Sequence, residues 1–384
     1  MKIEQIDIYR VALPFDAGRS ELPDAPETEG DAFNAASRSL RKMESLMVRL
    51  RTDSGLEGWG EAFGHLINPV TYAALSGSVG KFFLGAEVSF DEAGFPILTM
   101  EALRAFHGFG ATGPVLYALS ALDTALWDLA TRGKDLPLHE MLGSHRNAIR
   151  CYASLVSYDN DPGQVAKHVS RATSRGFDSI KLHETEPAAV LAARRAMADH
   201  QRLMVDVNCA WTGEQAQSML QQMGPADLGW IEEPTWPPGD LAALKKVRDL
   251  GIPVAAGENA SGIQGFIQHF HAHAIDVAQP SVAKIGGISG MLEVMRHARR
   301  HSVEIVPHCF YFGPGLCATA QIVASLRDDI ALEVPFLDWP EPLHPMQSPQ
   351  ASRTLPDAAG IGFEPDWNTL TRHLVASETL SIHD

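Results

Sequence analysis

In Leu203-Met204-Val205-Asp206, Leu228-Gly229-Trp230-Ile231-Glu232 and Pro253-Val254-Ala255-Ala256-Gly257-Glu258 a short apolar run ends three times on a carboxylate, at intervals of 26 residues. The same texture extends in both directions. Short apolar runs at 150–155, 179–182, 203–207, 228–231, 253–256, 275–278, 302–306 and 330–332 are each followed by a helix-like stretch. The polar residues at their ends are Lys181, Asp206, Glu232, Glu258, Ser281, His308 and Glu333, separated by 25, 26, 26, 23, 27 and 25 positions. A strand, loop, helix and loop unit needs about that length, and units of this kind build a parallel sheet. Eight of them predict a closed α/β barrel, whose strands all finish at one face. Residues 150 positions apart thereby converge on one mouth.

The remainder of the chain sets the domain plan. At 384 residues it fits one barrel plus a smaller companion. Residues 1–60 alternate strand-like runs with a polar, acidic stretch at 16–34 that holds Pro23 and Pro26 and reads as a long mobile loop. Gly58-Trp59-Gly60-Glu61 closes a hairpin region, and at 114–130 the residues Leu116, Leu119, Leu122, Ala125 and Leu126 have helical spacing. The expected division is an α+β capping domain at 1–125, a barrel at 126–359, and a final segment at 360–384 that returns to the cap.

Composition narrows the function. The chain is 45% hydrophobic and 20% charged, as expected of a soluble folded protein, and its formal charge of −16 disfavours nucleic acid as a partner. Net charge does not exclude a carboxylate substrate, because a local metal and a few buried lysines reverse the field inside a cleft. Cys151, Cys209, Cys309 and Cys317 form no CxxC pair, the N-terminus lacks the apolar core of a signal peptide, and no run is long enough to span a membrane. These features predict a cytoplasmic protein without a membrane partner.

Asp206, Glu232 and Glu258 end three consecutive expected strands. Left bare at one mouth they would repel and raise one another's pKa, a cost that a hard cation with oxygen ligands removes. Magnesium, one ion per subunit with manganese as the alternative, is the expected metal; otherwise each carboxylate pairs with a nearby Lys or Arg. Asn208 either orients a ligand or caps a turn. Lys181 and His183 lie two apart, so both side chains leave the strand end on one side. Near a cation the lysine's pKa falls, and a neutral histidine beside it is a proton acceptor suited to a carbon acid. His308, at the seventh run, stands opposite. Two such groups suit racemisation, where one removes and the other returns a proton, or elimination, where one protonates a leaving hydroxyl. Glu333 serves the substrate or a structural ion pair.

Two other patterns carry less. His269, His271 and His273 form an HxH pattern of the sort that zinc hydrolases use, but they fall in a helix-like stretch and read as helix-surface histidines. Lys284-Ile285-Gly286-Gly287 lacks the upstream glycine and the Ser or Thr of a phosphate cradle, and shapes a loop before a helix.

Seven motifs in order resemble those of the enolase superfamily, within its mandelate racemase and muconate-lactonising branch. They are Ala121-Leu122-Asp123 through Trp127-Asp128-Leu129, Ile180-Lys181-Leu182-His183, Val205-Asp206-Val207-Asn208, Trp230-Ile231-Glu232-Glu233-Pro234, Gly257-Glu258-Asn259, Lys284-Ile285-Gly286-Gly287 and Pro307-His308. The resemblance implies a (β/α)7β TIM-like barrel under an α+β capping domain, Mg2+ on Asp206, Glu232 and Glu258, and an enolate formed by removing a proton alpha to a carboxylate. It implies a symmetric homo-oligomer. It gives His183 the role of base, Lys181 a contact to the substrate carboxylate, and the 16–34 loop, with the loop near 63–68, control of specificity. Asn208, Ser281 and Glu333 become candidate substrate contacts. This chain departs from the mandelate racemase pattern twice: His183 replaces a lysine, and Ser281 replaces the aspartate that partners the opposite histidine. Without that carboxylate His308 is a weaker base, which favours an acid role and a hydro-lyase, a sugar-acid dehydratase, over a racemase, epimerase or cycloisomerase. A non-catalytic barrel and an HxH metallohydrolase are the expectations from other classes.

Overall fold

Alternation of period two along 3–14 and 42–52 buries one face of two long strands, and that face founds the first sheet. A computed structural model describes residues 1–19, 35–37, 40–109 and 112–383. Strands β1 (Ile3–Pro14), β2 (Lys42–Thr52) and β3 (Glu57–Ala62) form an antiparallel sheet, with Ile6, Ile8, Leu46, Val48 and Leu50 buried beneath it. The helix Pro114–Gly133 packs against it through Leu119, Leu122, Leu126 and Leu129. Its contact with β3 explains two glycines. A Cβ on Gly58 would lie 2.3 Å from the Ala125 carbonyl oxygen, and one on Gly60 1.9 Å from that of Ala121. Only a strand without side chains there can lie so close to a helix backbone.

Eight parallel strands follow: β4 (Ala148–Ser154), β5 (Ser179–Leu182), β6 (Arg202–Asp206), β7 (Leu228–Glu232), β8 (Val254–Ala256), β9 (Val277–Ala278), β10 (Glu304–Ile305) and β11 (Leu332–Pro335). Each overlaps an expected run, the last only at Leu332. The hydrogen-bonded ladder runs β10-β9-β8-β7-β6-β5-β4-β11, so among the described residues it stays open between β10 and β11. Closure comes from packing instead. Tyr152, Met204, Trp230, Ala255 and Val277 from five strands share one buried cluster with Val306, just after β10, and Ile330, just before β11.

Two C-terminal strands tie the halves together. β12 (Ser352–Thr354) pairs antiparallel with β4, and β13 (Leu374–Ser381) pairs antiparallel with β1 at the edge of the first sheet. The helix Pro114–Gly133 is continuous across residues 125 and 126, where the sequence reading divides the domains. It serves both sides. Asp128 accepts from the backbone N–H of Trp59 in the cap and of Ile361, while Asp123 accepts from Ser289 near the start of the barrel helix Gly287–His301. Gly287 has φ +71°, and a Cβ there would lie 2.2 Å from Asp123 Oδ1, so the double glycine permits this docking. Among the described residues no helix is long and apolar enough to cross a membrane.

Of the HxH histidines, His271 and His273 are exposed as expected, but His269 is buried. Its Nδ1 lies 2.7 Å from the Gly265 carbonyl oxygen, and its ring packs beside Phe266 in the core-facing stripe of the helix Gly262–His271. Residues 20–34 of the expected mobile loop lie outside the described residues.

Candidate active site

The polar strand ends meet at the C-terminal mouth because parallel register leaves no alternative: Asp206 stands directly beside Glu232, and Glu258 follows two residues after β8. At the centre is Lys181, 1% exposed, with its Nζ 2.7 Å from Glu333 Oε1, 2.8 Å from Glu232 Oε1 and 3.5 Å from Asp206 Oδ2. Burial alone would lower its pKa. The surrounding carboxylates overturn that and hold it well above the usual lysine value in the absence of a cation.

The carboxylates respond differently. Glu232, fully buried and accepting from Trp230 Nε1 at 3.0 Å, is pushed well above the usual carboxylate range by burial, with the charges of Asp206 and Glu333 adding to the rise. Asp206 and Glu333 are lowered, Glu333 to about 2, because Lys181 outweighs the cost of burial. Glu333 also accepts from the Cys309 N–H at 2.7 Å. Glu258 is held well below its usual value, against burial, by His308 and Lys284. The carboxylates are thus not bare: they have basic partners, and among the described residues no three His, Cys, Asp or Glu side chains already stand as a metal cage.

Two histidines flank this group. His183 points Nδ1 at the Leu155 carbonyl oxygen, 2.5 Å away, and Nε2 at Asp206 Oδ2, 3.4 Å away. A carbonyl oxygen only accepts, so Nδ1 carries a proton, while Nε2 faces the Asp206 carboxylate, whose pKa this histidine helps to lower. On the other side His308 Nε2 is 2.9 Å from Glu258 Oε2. That carboxylate also only accepts, so here Nε2 carries the proton. Among the described residues His308 Nδ1 is buried without a hydrogen-bond partner, and Ser281 bonds instead to the Tyr311 hydroxyl, whose ring meets that of His308 edge-on at 5.7 Å. Asn208, with φ +45°, donates its backbone N–H to Asp206 Oδ1 at 2.8 Å and leaves its side-chain Oδ1 buried and unpaired.

Several residues at this mouth escaped the sequence reading. His65, from the cap, is lowered to about 4 by burial and by the neighbouring His308 and Lys284. Lys284 is 8% exposed and lies 4.1 Å above the Phe63 ring. Glu61, at the end of Gly58-Trp59-Gly60-Glu61, is buried and raised to about 7; it accepts from Ser45 Oγ and from the Gly315 N–H. His65 falls within the 63–68 stretch and Lys284 within a quoted motif, but neither ends a strand run, the feature that singled out the others.

Comparison with known proteins fixes the ancestry. Residues 164–369 match the family described as enolase C-terminal domain-like, and residues 24–143 match the mandelate racemase / muconate lactonizing enzyme N-terminal domain. The chain belongs to the enolase superfamily. Within the mandelate racemase branch it is 28% identical to D-galactarolactone cycloisomerase of Agrobacterium fabrum, over 88% of this chain and 93% of that protein. It is also 28% identical to L-talarate/galactarate dehydratase of Salmonella typhimurium, over 79% of this chain and 76% of that protein. The crystal structure of the Salmonella enzyme liganded with Mg and L-lyxarohydroxamate superposes with a TM-score of 0.81 at 25% identity, covering 99% of this chain and 94% of that one. Further superfamily relatives include D-xylonate dehydratase and an L-Ala-D/L-Glu epimerase.

Proposed function

We propose that this enolase-superfamily member is a magnesium-dependent sugar-acid dehydratase. The different anchoring of the two histidines carries the reading. The Leu155 carbonyl fixes the proton of His183 on Nδ1, so that Nε2 is left as the lone pair once Asp206 turns to a cation, which suits a base; His308 has no such anchor on Nδ1 and holds its proton on Nε2 against Glu258, which suits an acid. In this reaction Nε2 of His183 takes the proton alpha to the substrate carboxylate, and the C–H electron pair moves into the carboxylate as an enolate. The pair then returns to form a carbon–carbon double bond, the β-hydroxyl departs with the His308 proton as water, and the resulting enol becomes a 2-keto-3-deoxy acid. Proton transfer by a positioned side chain contributes about 10²–10⁴-fold to rate.

Lys181 is the contact for the substrate carboxylate, Glu333 fixes its ammonium, and Asn208 Oδ1 and Ser281 face the substrate. The donor set fits a hard divalent cation. One ammonium among Asp206, Glu232 and Glu333 leaves the pocket negative, and burial pushes the Glu232 carboxyl up, a cost that a cation would offset. Asp206, Glu232 and Glu258 would hold the ion, with Lys181 and His308 giving way. When bound, it offsets that excess charge and stabilises charge building on the substrate carboxylate.

The cap at 1–125, the barrel at 126–359 and the returning segment at 360–384 divide the work between closing over the substrate and catalysis. Free cysteines suit a cytoplasmic setting, and exposed apolar side chains such as Phe109 and Trp236 suit a homo-oligomer. Incubation with Mg2+ and a panel of mono- and diacid sugars should yield 2-keto acids; no turnover across a broad panel would overturn the reading. The 28% identity to a cycloisomerase over most of both chains favours one second reading, an isomerase. That enzyme would bring solvent deuterium to the alpha carbon without releasing a keto acid.

A further inference from the structure

Two lysines are buried at the mouth, and their circumstances are opposite. Lys181 is surrounded by carboxylates, whereas Lys284 makes no ion pair among the described residues and feels the charge of Glu258 only from further off. Its Nζ rests on the Phe63 ring, a contact worth about 0.5–2 kcal/mol, less than the several kcal/mol that burying an ammonium costs. The Phe63 ring is a hub. Edge-on around it stand His65 at 5.5 Å and Tyr117 at 5.4 Å, and its backbone N–H is bonded to the Ala283 carbonyl oxygen, which locks this corner of the cap to the barrel loop that carries Lys284. His65 Nδ1 is a second buried polar atom there, without a hydrogen-bond partner among the described residues. A buried cation and an unpartnered imidazole nitrogen on an aromatic wall, beside His308 and away from Lys181, form an anion site.

Resting on the dehydratase reading, we infer that Lys284 and His65, walled by Phe63 and Tyr117, bind the distal carboxylate of a diacid substrate, so that the enzyme prefers aldaric to aldonic acids. The proximal carboxylate lies with Lys181 and Glu333, and the reacting carbons lie between His183 and His308. A monoacid would place a hydroxymethyl group against Lys284 and leave its charge to Glu258 alone, at longer range.

Galactarate and galactonate differ only in that distal group and make the matched pair for the test. In Mg2+ buffer, kcat/KM for the two is compared in the wild type, Lys284→Gln, Lys284→Arg and His65→Gln. The wild type should favour galactarate. That ratio should fall roughly 30-fold in Lys284→Gln, the effect of losing a charged hydrogen bond, be largely recovered in Lys284→Arg, and fall less in His65→Gln. A wild type with no diacid preference, or a Lys284→Gln that lowers both substrates by one factor, overturns the inference. If neither acid is turned over, the dehydratase reading has failed on this pair and binding decides the rest. Galactarate must then raise Tm more than galactonate, with the difference lost in Lys284→Gln; equal shifts overturn the anion site.

Discussion

The half of the mouth built on β5 to β7 and the half built on β9 and β10 solve the same problem differently. Around Lys181 nearly every charge is answered: three carboxylates share one ammonium, and His183 is oriented by a backbone carbonyl. Around His308 the answers are fewer. Among the described residues His308 Nδ1 and His65 Nδ1 have no hydrogen-bond partner, and Lys284 makes no ion pair, with a ring beneath it and the Glu258 charge further off. Buried polar groups are seldom left this way, because each costs about 1–3 kcal/mol. The contrast separates two tasks: a saturated half holds fixed machinery, and an unsaturated half holds places for groups that arrive with a ligand.

The sharpest way to break the comparison is to remove the proposed base. His183→Asn keeps a polar side chain but no proton acceptor of suitable basicity, and kcat should fall about 10³-fold, within the range for general-base catalysis. A variant that keeps more than a tenth of wild-type turnover would transfer the base role elsewhere. Lys181→Met tests saturation itself. Without the ammonium, Asp206, Glu232 and Glu333 face one another unanswered, and breaking a buried ion pair in this manner costs ~3–5 kcal/mol. Urea unfolding of the metal-free protein should show that loss, and a change under 1 kcal/mol would mean that the carboxylates are already protonated.

Half of this contrast could be read from the sequence. A barrel repeat places one polar residue at each strand end, so the spacing of Asp206, Glu232, Glu258, His308 and Glu333 locates the mouth. The same regularity hid the rest. Which carboxylate meets Lys181, and that Tyr311 rather than an acid meets Ser281, depends on side-chain reach across strands, which a period of 25 residues does not encode. His65 and Lys284 come together only because the cap docks on the barrel through Phe63 and Ala283, a contact between stretches more than 200 residues apart. The reading of three bare carboxylates left out the buried counter-charge that Lys181 supplies to Asp206, Glu232 and Glu333.

A smaller effect separates the halves by pH. Glu61 backs the His308 side: it accepts from the Gly315 N–H at the start of the helix Pro314–Ser325, and so tethers the loop that carries Tyr311. Burial raises its pKa from 4.5 to about 7. The folded state therefore holds this proton more tightly than the unfolded state does. Stability from this group is complete below pH 4.5, is lost as pH rises from 4.5 through 7, and stays lost above. The loss is ~3 kcal/mol. Glu61→Gln can keep accepting from Gly315 and no longer titrates. The stability difference between the wild type and Glu61→Gln should shift against the wild type by that amount between pH 4.5 and 8, and a pH-independent difference would sink the assignment.

Tyr311→Phe should have the smallest effect and bears most closely on what makes the two halves differ. The phenol of Tyr311 satisfies Ser281 where an aspartate would otherwise orient His308, and it does so without touching His308 Nδ1. Removing the hydroxyl deletes one buried neutral hydrogen bond and leaves the ring packed edge-on to the imidazole, so the cost should be ~1 kcal/mol in thermal unfolding. Turnover should stay within several-fold of wild type, because a proton donor facing the substrate through Nε2 needs no partner on its other nitrogen to deliver the proton once. A racemase would need His308 to take protons as readily as it gives them, and the Ser281–Tyr311 pair offers no negative charge to support that. A fall in kcat as large as that of His183→Asn would place the Tyr311 hydroxyl among the reacting groups and erase the distinction between a saturated and an unsaturated half.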